Sequence, residues 1–179
     1  MENLKAQLLK MLSENARYST KQLAGILGAK EEDVVLAISQ LEADGVIVKY
    51  SAIINNEAAQ TKGVQALIEV KVAPQKLNGF DSYAEEIYSF SEVRSLYLMS
   101  GGFDLAIFVD GKDISDIAKF VSEKLSVIEG IIGVATHFIL KTYKIEGQIT
   151  SATDGRKRQM FQAWKILYLS KLKAYSLLA

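Results

Sequence analysis

The sequence contains no cysteine. Disulfides, thiolate metal sites and cysteine nucleophiles are therefore excluded, and a reducing compartment is the natural setting. There is one histidine, His137. Without a second imidazole or a thiolate beside it, it does not make a zinc site, and it reads as an interface or surface residue. No uncharged apolar run approaches the ~18 residues that a membrane span requires. Met1 leads directly into the mixed polar stretch Glu2–Lys5, so no secretion leader is expected and the expected location is the cytoplasm. The formal net charge is zero. No Ser-His-Asp arrangement, phosphate-cradling glycine loop or metal-spaced carboxylate set is recognisable. Neither metal nor cofactor is expected, and catalysis has little support.

What is present is apolar material: 49% of 179 residues, enough for one ordinary domain or two small ones. The balanced charge is unevenly placed. Residues 1–153 hold 15 Lys/Arg against 20 Asp/Glu, whereas residues 154–179 hold six basic residues against Asp154 alone. Leu4, Leu8, Leu9 and Leu12 recur at helical spacing. After a break, Ser19 and Thr20 offer N-caps for a second helix carrying Leu23, Ala24 and Leu27, which Gly28 ends. Val34, Val35, Ile38 and Leu41 line a third helix, stopped at Gly45. Val46–Ile54 is β-branched and extended in character. Three short helices followed by a hairpin is the order of a winged helix-turn-helix, here over 1–55.

After a polar linker, 56–63, the rhythm changes. Val64, Ala66, Ile68, Val70 and Val72 alternate with polar residues as in a strand, which Pro74 closes. Tyr83, Ile87 and Phe90 mark a helix. Val93–Ser100 and Asp104–Asp110 read as strands around a Ser100-Gly101-Gly102 turn. Ile114, Ile117, Val121, Leu125 and Ile128 are spaced 3, 4, 4 and 3, one helix face, and Val134–Ile145 reads as a long last strand. The order βαββαβ over 64–147 is a ferredoxin-like split motif in an α+β chain. Two helices cover one face of such a sheet. Because Leu96 and Leu98 oppose Tyr97 and Met99, the other face is also apolar, which predicts a partner, most simply a second copy.

These residues in this order resemble the Lrp/AsnC family of transcription regulators, whose sensor half is the RAM domain. In the first half the resemblance is carried by Ala16-Arg17-Tyr18-Ser19, Leu23-Ala24, Leu27-Gly28, Val34, Leu41-Glu42, Gly45-Val46-Ile47 and Tyr50 to Asn55. In the second it is carried by Val93, Gly101-Gly102-Phe103-Asp104, Gly133-Val134, Thr136 and Lys144. It implies a dimer that can assemble further into tetramers or octamers. It also implies an amino acid or similar metabolite bound between sensor domains, near the turn before Asp104 and the segment Val134–Thr136. Met99, Gly101, Gly102, Phe103, Asp104, Val134 and Thr136 are the expected effector residues. A Gly-Gly turn admits close backbone approach, and Asp104 can accept from an ammonium group. The plain alternative is that the glycines close a hairpin and Asp104 caps it.

The resemblance also places the third helix in the DNA major groove. Here that helix opens Lys30-Glu31-Glu32-Asp33 and carries no arginine. Residues 1–55 hold six basic residues and seven acidic ones. Arg17, Lys21, Lys30, Ser39, Gln40, Lys49 and Tyr50 remain the candidate DNA contacts. The carboxylates have a structural alternative, since they stabilise a helix N-terminus. The leading function is a ligand-responsive transcription regulator. The second reading is a sensor or assembly protein of the same fold that has lost direct DNA reading. A sirohaem-decarboxylase-like enzyme is a third, with few basic side chains to support it. Residues 148–179 form an extension in which Phe161, Trp164, Tyr168, Leu172 and Tyr175 predict a basic, aromatic helix.

Overall fold

A computed structural model describes residues 2–73 and 79–150. Pro74 and the helix expected in the C-terminal extension lie outside the described residues. The chain divides between Ile53 and Ile54 into two compact units.

The first unit holds three helices, α1 (Glu2–Glu14), α2 (Thr20–Leu27) and α3 (Glu31–Ala43). Leu8, Leu23, Ala24, Val34 and Ala37 are buried between them, with Met11, Tyr18 and Ile38 packed around. Ser19 caps α2 in a reciprocal capping box with Gln22, and Gly28 ends it in the left-handed conformation at φ 63°. The N-cap of α3 is Lys30, which makes no side-chain capping bond. Glu31, Glu32 and Asp33 supply negative charge to that uncapped turn instead. Glu31 is also tied down, accepting from Thr20 Oγ1 at 2.6 Å.

The expected hairpin after α3 does not form. Val46 and Ile47 both donate to the Leu41 carbonyl, at 2.9 and 3.0 Å, and residues 48–54 have no ladder partner among the described residues. The reason is legible afterwards. Val46–Ile54 contains no Gly, Pro, Asn or Asp to make a tight hairpin turn, so it is one extended segment with nothing returning beside it. The next turn begins only at Asn55, whose Oδ1 accepts from the Ala58 amide at 3.1 Å.

The second unit is the expected βαββαβ arrangement: β1 (Val64–Val72), α4 (Asp81–Tyr88), β2 (Val93–Leu98), β3 (Leu105–Gly111), α5 (Ile114–Lys119) and β4 (Ile131–Phe138). The sheet order is β2-β3-β1-β4, all antiparallel neighbours. Ala66, Ile68, Val70 and Val72 of β1 and Leu105, Ile107 and Val109 of β3 face the helices. They bury Tyr83, Ile87, Ile117, Phe120, Leu125 and Ile128 against the sheet.

Two expected elements are revised. The helix from Ile114 does not run evenly to Ile128. It becomes a π-helical turn over Phe120–Leu125, with Ser126 N–H bonding Val121 O at 2.8 Å. Phe120, three residues after Ile117 and so beside it on the helix, also enters the core, where its ring meets Phe90 edge-on at 5.7 Å. Ile114, at the start of the stripe, is exposed. The last strand ends at Phe138 rather than Ile145. Ile139 N–H reaches Gln65 O at 2.8 Å, and β1 then offers nothing more to pair with. The chain turns instead into a small hairpin, β5 (Lys144–Ile145) with β6 (Gln148–Ile149), through Glu146 and Gly147, both at positive φ (44° and 77°).

No helix among the described residues covers the other sheet face. It carries Leu67, Phe108, Tyr97 and Ala106, with Tyr97 and Phe108 edge-to-face at 6.0 Å and His137 3.3 Å from Glu69. Tyr97 lies on this open face and is 53% exposed, whereas Leu96 turns to the core.

Gly130 is required where it stands. Its φ is 89°, and a Cβ there would run into the Tyr83 hydroxyl, which donates to Ala73 O at 3.4 Å. Gly130→Ala is expected to lower stability by about 2–4 kcal/mol, through backbone strain plus displacement of the Tyr83 ring. Urea titration of the two proteins measures it, and an unchanged midpoint contradicts the packing described.

Lys124 bonds Glu92 at 2.6 Å and lies 5.5 Å from the Phe90 ring centroid. The Lys124 hydrogen bond holds the Glu92 carboxyl below its usual 4.5, against an opposing effect of burial. A depressed carboxyl pKa stabilises the fold above the unfolded pKa and loses that contribution as pH falls through the folded one. Glu92→Gln should therefore cost about 0.5–1 kcal/mol at pH 7 for this partly exposed pair. The gap to the parent should close below about pH 4, as chemical melts at pH 7, 5 and 3 will show.

Candidate effector and DNA sites

Met99, Gly101, Gly102, Phe103 and Asp104 lie together at the β2–β3 turn, whereas Val134 and Thr136 stand on β4, across β1 from it. Met99 N–H bonds Asp104 O at 2.8 Å, closing a four-residue loop over Ser100–Phe103. Gly101 has φ 152°, and a Cβ on Gly101 or Gly102 would meet nothing within 4 Å, so the loop backbone is bare. Asp104 is tied to β1 twice. Its N–H bonds Val70 O at 2.9 Å and its Oδ2 accepts from Val72 N–H at 2.9 Å. Its Oδ1 has no partner among the described residues. On the far side of β1, Val70 pairs with Val134 and Ile68 with Thr136. Asp104 and Val134 thus flank the same β1 residue. Thr136 stands two residues further along the strand. Met99, Gly101 and Gly102 are exposed at the tip, while Phe103, Val134 and Thr136 are half-buried. A separate groove of about 400 Å³ lies between α4 and the edge strand β2, lined by Phe80, Asp81, Tyr88, Arg94, Leu96 and Leu98 among others. It contains none of the expected effector residues, and the sequence reading did not find it. Asp81 and Arg94 are distant in sequence and carry no motif.

The DNA candidates in the first unit are less tightly grouped. Arg17, Lys21, Lys30, Ser39 and Lys49 are exposed, and Gln40 is half-buried. The Tyr50 hydroxyl donates to Glu42 Oε1 at 2.8 Å, so Tyr50 is fastened to the end of α3. Burial first, and then the Glu42 carboxylate, push the phenol above its usual pKa of 10.0, keeping it a neutral donor. Opposite the buried Val34, Ala37 and Leu41, the outer side of α3 presents Glu31, Glu32, Val35, Leu36 and Ser39 around a shallow hollow of about 470 Å³. Of these, only Ser39 was expected. The signal for the others was the residues at i, i+3, i+4 and i+7 from Glu32, the face complementary to the core stripe.

This pairing of a trihelical unit with a βαββαβ unit is shared with known proteins. A family model described as the Lrp/AsnC ligand binding domain matches residues 65–149. The HTH-type transcriptional regulator YugG of Bacillus subtilis, itself described as uncharacterized, is 42% identical over 153 residues, 85% of this chain and 92% of the relative. The HTH-type transcriptional regulator LrpA of Pyrococcus abyssi is 34% identical over 137 residues, 76% of this chain and 94% of the relative. Among solved structures, an AsnC family transcriptional regulator from Agrobacterium tumefaciens superposes with a TM-score of 0.64 at 26% identity, covering 83% of this chain and 96% of that one. A transcriptional regulator of Neisseria meningitidis, solved as its L-Met complex, shares the fold at a TM-score of 0.64 and 23% identity, over 81% of this chain and 93% of that one. The fold and these matches define a ligand-responsive helix-turn-helix transcriptional regulator. The chain belongs to the Lrp/AsnC family.

Asp104 holds β1 through its carboxylate, and two substitutions test that bond. Asp104→Asn keeps an acceptor for Val72 N–H, and its stability should stay within about 0.5 kcal/mol of the parent. Asp104→Ala leaves that amide without its partner and should cost about 1–2 kcal/mol. Thermal denaturation of both variants checks this, and equal losses would mean that the carboxylate is not holding β1.

Proposed function

We propose that this regulator binds an α-amino acid or a close relative at the Gly101–Asp104 turn and the facing end of β4. Met99, Gly101, Gly102, Phe103, Asp104, Val134 and Thr136 contribute to the site. The observation that carries the proposal is the bare Gly101-Gly102 backbone beside a carboxylate whose Oδ1 has no partner among the described residues, within a ligand-binding-domain match. The ammonium group is assigned to Asp104, the carboxylate to loop amides and the side chain to Met99 and Phe103. The turn is an open surface in one copy, so a second copy completes the site, joined at least as a homodimer and in tetramers or octamers beyond that. The fold similarity to a protein solved with L-Met supports the ligand class.

In the same proposal, residues 1–55 form the DNA-binding domain, 56–63 the linker and 64–147 the sensor and assembly domain. Arg17, Lys21, Lys30 and Lys49 contact phosphates, and Ser39, Gln40 and Tyr50 lie at the groove. The protein is cytoplasmic and not an enzyme, supported by relatives named as transcriptional regulators. No helix among the described residues is long and apolar enough to cross a membrane. One observation favours the second reading, a sensor that has lost direct DNA contact: three successive carboxylates open α3.

Thermal-shift measurements against the twenty amino acids test the effector. A ligand at 100 times its Kd stabilises the native state by about 2.7 kcal/mol, a rise of several degrees. A flat response to all twenty would remove the amino-acid claim. Mobility shifts on duplex DNA at 50 and 150 mM salt test the other half. A folded oligomer that shifts no duplex at either salt would transfer support to the second reading.

A further inference from the structure

The outer side of α3 is not the polar surface expected of a solvated helix. Val35 is 47% exposed and Leu36 49% exposed, side by side at its centre. The core does not need them, because Val34, Ala37 and Leu41 fill it and Ile38 packs at its margin. Glu32 and Ser39 complete the same face, one turn to either side. Glu31, the other nearby carboxylate, is held by Thr20.

In a helix-turn-helix this face confronts the major groove. The one apolar group a base presents there is the 5-methyl of thymine. A carboxylate can only accept, so it suits the amino groups of adenine and cytosine and is repelled by the paired acceptors of guanine. An A·T pair alone offers both a methyl and an amino donor. From this we infer that Val35 and Leu36 read thymine methyl groups and that Glu32 accepts from the adenine amino group, so that α3 selects A·T steps and rejects guanine. The inference rests on the DNA-binding half of the proposed function and adds its base specificity. It also accounts for how a near-neutral reading unit could hold DNA. With six basic residues against seven acidic ones in residues 1–55, phosphate contact is limited, and a larger share of the affinity comes from base edges.

Replacing thymine by uracil removes the methyl and nothing else. Random 20-bp duplexes are selected on the full chain, and a selected duplex is then made with thymidine or with deoxyuridine. Each contacted thymine changed to uracil should weaken binding about fourfold. The double variant V35A/L36A should bind the thymine duplex as weakly as the parent binds the uracil duplex and should no longer distinguish the two. Both side chains are half-exposed, so the fold should survive, as a circular dichroism melt will show. Arg17→Ala should weaken both duplexes equally and keep the ratio between them. Equal parental affinity for the two duplexes overturns the inference while leaving DNA binding intact, and so does a V35A/L36A variant that still discriminates. Failure to select or bind any duplex overturns the inference together with the DNA-binding reading.

Discussion

Both edges of β1 are hydrogen-bonded, and its register decides where the candidate effector residues stand. On one edge Asp104 clamps it, giving its amide to Val70 and taking the amide of Val72 on its carboxylate. On the other edge Val70 opposes Val134. A slip of one residue would turn Ala66, Ile68, Val70 and Val72 out of the core and move the Gly101–Phe103 loop away from β4. The side-chain bond from Asp104 adds a second constraint to the ladder at the point where β3 begins, so the turn is held by its base while its tip stays bare. Such an arrangement suits recognition, because the ligand meets a backbone already in place and pays little ordering entropy.

The two faces of the sheet divide the remaining work. One is filled by α4, α5 and the π turn, and Phe120, Leu125 and Ile128 close it. The other mixes an apolar centre of Leu67, Phe108, Tyr97 and Ala106 with polar pairs, Glu69 with His137 and Arg94 with Asp110 at 2.9 Å. An apolar patch interspersed with polar pairs is the pattern of a surface that associates with a partner and must also remain in water alone. It supports the proposed self-association, and the alternation expected along Leu96, Tyr97 and Leu98 holds, with Leu98 opposite Leu105 on the helix side and Tyr97 on the open one.

Much of this was legible in the sequence where one periodicity ruled a whole element. β1 alternates strictly and begins and ends where the alternation does. α1 and α2 follow their leucine spacing, with Ser19 and Gly28 as the boundaries that cap chemistry predicts, and α3 follows Val34, Ile38 and Leu41, whereas Val35, expected on the same stripe, turns outward and is half-exposed. The failures have separate causes. Ile114 to Ile128 fits an even helical repeat, yet a π turn interrupts it from Phe120 to Leu125, Ile114 is exposed, and Phe120, three residues from Ile117, joins the core beside the stripe. Val134 to Ile145 is β-branched enough to continue as a strand, but strands need neighbours, and β1 runs out at Val64. Val46 to Ile54 is extended as expected and lacks a partner for the same reason. The candidate effector turn was legible because glycine, aromatic and aspartate occur together in sequence. The outer face of α3 was not, because Val35, one residue from Val34 and three from Ile38, fits the core spacing closely enough to be assigned to it.

That pair and the acidic turn before it can be understood as one design. A reading helix with few cations binds random DNA weakly, since non-specific affinity comes almost entirely from phosphates. Methyl and amino contacts discriminate between bases but add only modest free energy per copy. On the proposed reading, useful affinity then comes from joining several reading units in one oligomer, where each further contact is made at high effective concentration. The link to the sensor follows directly. If an effector completed between sensor units shifts assembly by even 1–3 kcal/mol, it changes how many reading helices engage at once, and occupancy of DNA changes with it. A strongly basic helix would weaken this control, because a single copy would already bind. Low charge at α3 is therefore compatible with regulation, and it places the decision in the sheet of the second unit.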